Sequence, residues 1–106
     1  MTELFRLIDR AKSLGVDENV QPIDVLQAAQ EIADHPDVSA EFDDIVELVD
    51  FAQNYYARWA GIRAISVIGV KAIRHCETLL RRRLDMEDFD LARRELRNAL
   101  AKLDDG

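Results

Sequence analysis

His75 and Cys76 stand side by side, and histidine with cysteine is a combination that zinc sites and thiol nucleophiles both use. On a helix, however, neighbouring residues point about 100° apart. The pair therefore neither converges on one metal ion nor faces itself for proton transfer. The one other histidine, His35, precedes Pro36 in what reads as a turn. Zinc sites take four ligands, and this chain offers one cysteine and two histidines unless folding recruits carboxylates. The expectation is a core thiol and a surface histidine, with no metal and no cofactor.

Carboxylates are plentiful, with Asp43, Asp44, Glu47 and Asp50 the densest group. At helical spacing they fall opposite the apolar line from Phe42 to Val49, which describes a solvated acidic face. Catalytic acids are instead held in clefts that shift their pKa. No Glu-x-x-His pair is present for a di-metal bundle, and the four glycines are isolated, so no phosphate loop forms. No catalytic constellation stands out, and the chain is read as non-enzymatic, with no small-molecule substrate inferred.

The segment Ala29–Val46 has the layout of a helix-turn-helix, but its second helix would carry Glu41, Asp43 and Asp44 toward phosphates. It is rejected as a DNA reader. A better nucleic-acid candidate is the basic stretch 55–83, where Arg58, Arg63, Lys71, Arg74, Arg81, Arg82 and Arg83 lie near Tyr55, Tyr56 and Trp59. Aromatic rings and arginines together can stack and neutralise a single strand. Against this, the protein is acidic overall, with net charge −7, and Tyr56 and Trp59 also fit an apolar helix stripe. Nucleic acid is the less favoured partner.

The charge is strongly segregated. Residues 1–57 hold three basic side chains against 13 acidic ones, 58–84 hold seven against Glu77 alone, and 85–106 hold four against seven. An acidic block thus precedes a basic block of similar size. Small residues (Ala60, Gly61, Ala64, Gly69, Ala72, Cys76) along the middle segment would let another helix approach closely. If that segment paired antiparallel with a second copy, the acids of 41–50 would meet the arginines of 74–83, and a two-fold interface of this kind is self-complementary.

The elements that position these residues read as helices throughout. Thr2 caps a first helix to about Leu14, with Leu4, Leu7, Ile8 and Ala11 on one face and Gly15 as its stop. After a loop over 16–21, Pro22 opens a second helix that ends near Asp34, before the His35-Pro36-Asp37 turn. Ser39 is expected to cap a third segment that contains no proline as far as Leu84. Phe42, Ile45, Val46, Val49, Ala52, Tyr56 and Trp59 recur along it at spacings of three and four. Ile62, Ile65, Gly69, Ala72, Cys76 and Leu79 continue the pattern after Gly61. The β-branched run Val67–Val70 admits a strand, but helical periodicity holds on both sides.

One helix over 40–84 would span roughly 67 Å, against a radius of gyration near 13 Å for a domain of this length. Either it breaks, with Asn54 or Gly61 the best candidates, or it stays long and finds a partner. The lack of a polar hairpin loop favours a long or kinked helix. Asp85 or Asp88 caps a last helix with Phe89, Ala92, Leu96, Ala99 and Leu103 on one seam.

The chain is therefore expected to form one all-α domain over 1–106, a bundle of four or five helices with a long or kinked central helix at about 40–84. A single cysteine, no leader-like segment and no apolar run near the roughly 20 residues of a membrane span point to a cytoplasmic protein. The leading function is a protein–protein interaction module (a regulator, adaptor or assembly factor) that forms a homodimer through its central helix. A small acidic inhibitor that mimics nucleic acid and a nucleic-acid binder using 55–83 are the alternatives. The candidate contact residues are Asp43, Asp44, Glu47, Asp50, Tyr55, Trp59, Arg63, Lys71, Arg74, Arg81, Arg82 and Arg83.

Overall fold

A proline at its first turn and another just past its end delimit one helix sharply. Pro22 lies at the start of a helix running Pro22–Asp34, the Gln21 N–H donates to Asp24 Oδ2 at 3.0 Å, and Pro36 follows the C-cap His35. The structure, a computed structural model, describes residues 3–15, 19–51 and 53–105. Among them it is all-helical: α1 (Glu3–Lys12), α2 (Pro22–Asp34), α3 (Phe42–Val49), α4 (Tyr55–Ile68), α5 (Val70–His75), α6 (Glu77–Met86) and α7 (Asp90–Asp105). Thr2 as a cap, part of the 16–21 loop, and Ala52 of the apolar stripe lie outside the described residues.

The expected long central helix is divided into four, α3 to α6, and this raises the helix count to seven. The longest extent is 37 Å and the radius of gyration 12.6 Å, the compactness that a 67 Å rod would have prevented. Two of the three breaks have a cause that can be named. At the first, Asn54 is buried and caps two helices at once. Its Oδ1 accepts from the N–H groups of Tyr56 and Ala57 at 2.9 and 3.4 Å, while its Nδ2 donates to the Lys12 and Leu14 carbonyls at 3.0 and 2.7 Å. One side chain thus starts α4 and satisfies carbonyls at the end of α1.

At the second break, Gly69 adopts φ 130°, ψ −173°, a conformation reserved for glycine. At the third, Cys76 turns at φ −116°, ψ 25° between α5 and α6, a break with no proline or glycine behind it. Gly61, the other suspected breaker, lies inside α4. A Cβ there would stand 2.5 Å from Leu48 Cβ and 3.1 Å from the Val49 nitrogen, so this glycine lets α4 approach α3.

The start of α3 also differs from expectation. Glu41, not Ser39, is its N-cap, and the chain between Pro36 and Glu41 makes tight turns, with the Ala40 N–H bonded to the Asp37 carbonyl at 3.0 Å. Ahead of α7, the Glu87 carboxylate, rather than Asp85 or Asp88, receives the backbone N–H groups of Asp88 and Phe89 at 3.1 and 3.2 Å.

The core gathers around α4, which packs against α1, α2, α3, α5 and α7. From Ala57 to Ser66 every α4 residue except Arg63 is buried. A helix covered on all sides in this way cannot show a one-sided stripe. Leu4, Ile8, Val25, Ile32, Ile45, Leu48 and Leu96 close around it. The seam on α7 is as expected, with Ala92, Leu96 and Ala99 buried and Phe89 and Leu103 at its margins. No helix among the described residues is long and apolar enough to cross a membrane.

Candidate partner-binding groove

Helices α3 and α5 both pack on α4, and α6 packs on α7, without α3 packing extensively on either α5 or α6. Between them runs a groove of two adjoining chambers, about 710 and 370 Å³, which share Asp43 and His75. The floor of the larger chamber is mainly apolar, while the smaller one also takes Asp43, His75, Thr78 and Arg82 into its lining. Val38 from the turn before α3, Phe42 and Val46 from α3, Ile68 from the end of α4, Val70 from α5 and Leu79 from α6 are all half-buried there. The two walls meet at only a few side chains. The Phe42 ring lies edge-on to His75 at 5.6 Å between centroids, and at the Arg82 end Asp50 binds Arg83 Nη1 at 3.2 Å and Arg82 Nη2 at 3.5 Å.

Gly69 creates the mouth of the larger chamber. It ends α4 and starts α5 in a single residue, and a Cβ on it would meet nothing within 4 Å. The β-branched run around it is thus interrupted instead of forming a strand, and Ile68 and Val70 are left half-covered on either side.

The walls differ in charge. Asp43, on the α3 wall, is exposed; Lys71 and Arg74 are exposed on α5, with Lys71 lining the chamber. None of these three takes part in an ion pair among the described residues.

The remaining candidate residues serve other ends. Asp44 is half-buried, and the exposed Glu47 lies 4.0 Å from Lys12 Nζ on the α1 side. Trp59, expected at a partner surface, is 5% exposed and donates through Nε1 to Glu95 Oε1 at 3.4 Å. Arg63 binds the same carboxylate at 3.4 Å. Arg81 pairs with Glu77, one turn earlier, at 2.8 Å. Arg83 sits between Asp50 and Glu87, its Nε 3.5 Å from Glu87 Oε1. Tyr55 is 45% exposed, and its ring lies tilted against those of Tyr56 and Phe89, each at 4.6 Å between centroids. The acidic and basic blocks therefore do pair in part, but within one chain.

The buried polar groups are structural. Arg58 binds Glu87 through two prongs and also donates to the Phe51 carbonyl at 3.2 Å. Burial alone would raise the Glu87 carboxyl. Hydrogen bonds from Arg58 and the Phe89 N–H, with the charges of Arg58 and Arg83, outweigh it and hold the group below the usual carboxylate range. Cys76 is buried at the groove edge and its thiol donates to the Ala72 carbonyl at 3.2 Å. Burial pushes it up to about 11, which leaves almost no thiolate at neutral pH. No three His, Cys, Asp or Glu side chains gather into a metal cage among the described residues.

Sequence reading missed the groove's apolar lining. Phe42 and Val46 were assigned to the core stripe, and Ile68 and Val70 to a continuous helix. The available signal was the isolated Gly69 within a β-branched run. No protein-family model matches the chain, nor does any curated protein or solved structure, so its own geometry carries the functional argument.

Proposed function

We propose that this protein is a non-enzymatic interaction module, acting as a regulator, adaptor or assembly factor, that docks a protein partner in the groove between α3 and α5–α6. The observation that carries the reading is the groove itself: an apolar floor left half-covered by the chain's own packing, between walls whose free charges are opposite. Apolar floors with charged rims are how protein interfaces are commonly built. The non-enzymatic part is supported by the placement of the reactive groups. Asp43 faces solvent, Glu47 and Asp50 lie beside basic side chains, Glu87 is paired with Arg58, and the one thiol is held protonated. A buried lone thiol also suits the reducing, cytoplasmic setting that belongs to this reading.

Self-association through the central segment receives less support, because the features that pointed to it are used inside one chain. Ala60, Gly61 and Ala64 are buried in the core, and Asp50 already holds Arg82 and Arg83. Sedimentation equilibrium at low and high salt tests it directly, and a monomer at both would end it. A nucleic-acid strand is favoured less again. Arg58, Trp59 and Arg83 are withdrawn into the protein, and Tyr55 and Lys71 flank the two ends of α4, about 20 Å apart.

The docking reading is tested with a photo-crosslinking amino acid in place of Ser39, at the groove, or Asn98, exposed on α7. In the cells that make the protein, Ser39 should give a discrete protein adduct that Val38→Glu abolishes, and Asn98 should give none. Equal labelling from both positions would sink the reading.

A further inference from the structure

If a protein docks in the groove, as proposed above, the groove's shape and free charges specify what it docks. We propose that the occupant is one amphipathic helix of a partner protein, with an apolar stripe for the floor, acidic residues on the flank toward Lys71 and Arg74, and basic residues on the flank toward Asp43.

Shape comes first. A cavity of about 150 Å³ accepts one benzene-sized group, so chambers of about 710 and 370 Å³ admit several apolar side chains and then one or two more. The wall is α5, Val70–His75, about 8 Å at 1.5 Å per residue, followed beyond the Cys76 break by the first turn of α6, in all about two helical turns. A helix that presents anchors at i, i+3 or i+4, and i+7 covers that length. An extended peptide would need a sheet edge to supply backbone partners, and no strand exists among the described residues.

A second copy of this chain is a poor occupant. Among the described residues its exposed large apolar side chains are Phe5, Ile23, Tyr55 and Met86, one each on α1, α2, α4 and α6. No helix offers two of them, so none presents the stripe that the floor would take.

Charge then sets the flanks. Lys71 lines the groove from α5, with Arg74 exposed three residues further on but outside the lining, while Asp43 lines it from α3. Arg82 adds little, because Asp50 holds it at 3.5 Å. A helix acidic on both flanks would meet Asp43 with like charge, and one basic on both would meet Lys71 and Arg74. Rim charges of this kind select partners and orientation more than they add affinity.

The experiment uses the full chain and three synthetic helical peptides with an identical leucine stripe. One carries glutamates on both flanks, one carries lysines on both, and one carries one flank of each. Fluorescence anisotropy should rank the mixed peptide tightest by about fivefold at low salt, with the gap shrinking at high salt. Lys71→Glu/Arg74→Glu should make the lysine peptide the tightest. Val70→Glu should abolish binding of all three; Val38→Glu serves if Val70→Glu does not fold. Equal affinities, an unchanged ranking in the double variant, or no binding to any peptide would overturn the assignment. A groove-specific crosslink from Ser39 would still leave protein docking standing. A dimer in sedimentation that Val70→Glu dissociates would give the groove to a second copy and overturn it as well.

Discussion

Arg58 and Glu87 face each other as a two-pronged ion pair inside the protein, Nε to Oε1 at 2.8 Å and Nη2 to Oε2 at 3.1 Å, with the Glu87 side chain fully covered. The pair joins the first turn of α4 to the connection before α7. Removing the charge of one member of a covered pair costs up to about 3–5 kcal/mol, although Arg58 keeps the Phe51 carbonyl at 3.2 Å and Asp88 Oδ1 at 3.8 Å. Glu87→Gln should therefore destabilise the fold by an amount in that range in urea titrations. A loss under about 1 kcal/mol would mean that the pair behaves as a solvated one.

The same pair gives a pH signature. The Glu87 carboxyl is depressed in the folded state, so its contribution is complete at neutral pH. It is lost as the pH falls from the unfolded carboxylate value, about 4.3, through the lower folded one. Glu87→Gln lacks this titration, so its stability should converge on that of the parent as acid is added. A gap that stays constant from neutral pH into the acid range would contradict the pairing.

Asn54 serves two helices, and its two functions can be separated. Asn54→Asp keeps the oxygen that caps α4 but loses both donors to the Lys12 and Leu14 carbonyls. Asn54→Ala loses everything. We expect losses of about 1–3 kcal/mol for the aspartate and a larger one for alanine. Equal losses by thermal unfolding would mean that the oxygen capping α4 contributes nothing measurable.

Gly61→Ala pits helix propensity against packing. Alanine should gain about 1 kcal/mol within a helix, but its Cβ would collide with Leu48 Cβ and with the backbone at Val49. Backbone atoms yield little, so net destabilisation of about 1–3 kcal/mol is expected. A stabilised variant would show that α3 can withdraw from α4.

Cys76 should be a slow thiol. With its pKa pushed up to about 11, alkylation at mildly alkaline pH should run on the order of 100-fold slower than for a free cysteine. Reaction at the free rate in the folded protein would place the thiol in solvent.

The parts of the fold that could be read from sequence are those whose causes are local. Pro22 and Pro36 act on their own neighbours, so both ends of α2 are where the sequence puts them. The periodicity of α7 is likewise local, and its seam is buried as read. The divisions of 42–86 were less legible because, of the three, only the one at Gly69 has a wholly local cause. Asn54 breaks the helix partly because carbonyls 40 and 42 residues away need its amide. Gly61 looked like a breaker and is a contact point, a distinction that depends on Leu48 lying opposite. Cys76 carries no breaking signal at all. The charge blocks were plain, but their pairings were not, since Asp50 meets Arg82 and Arg83 across 32 and 33 positions. The groove was the least legible feature. It exists because α3 and α5–α6 fail to meet, and a gap between elements leaves no periodicity to detect.

The enclosure of α4 has a consequence for how the chain is made. Its apolar surface is completed by α7, so the 37 residues from Gly69 to Asp105 must leave the ribosome before the core can close. At about 5–20 residues per second, a nascent chain carries an open α4 for roughly 2–7 s. During that interval Trp59 and Ser66 lack their Glu95 and Lys102 partners. Synthesis beyond α4 is therefore the stage at which this protein is most exposed to aggregation and most open to a chaperone.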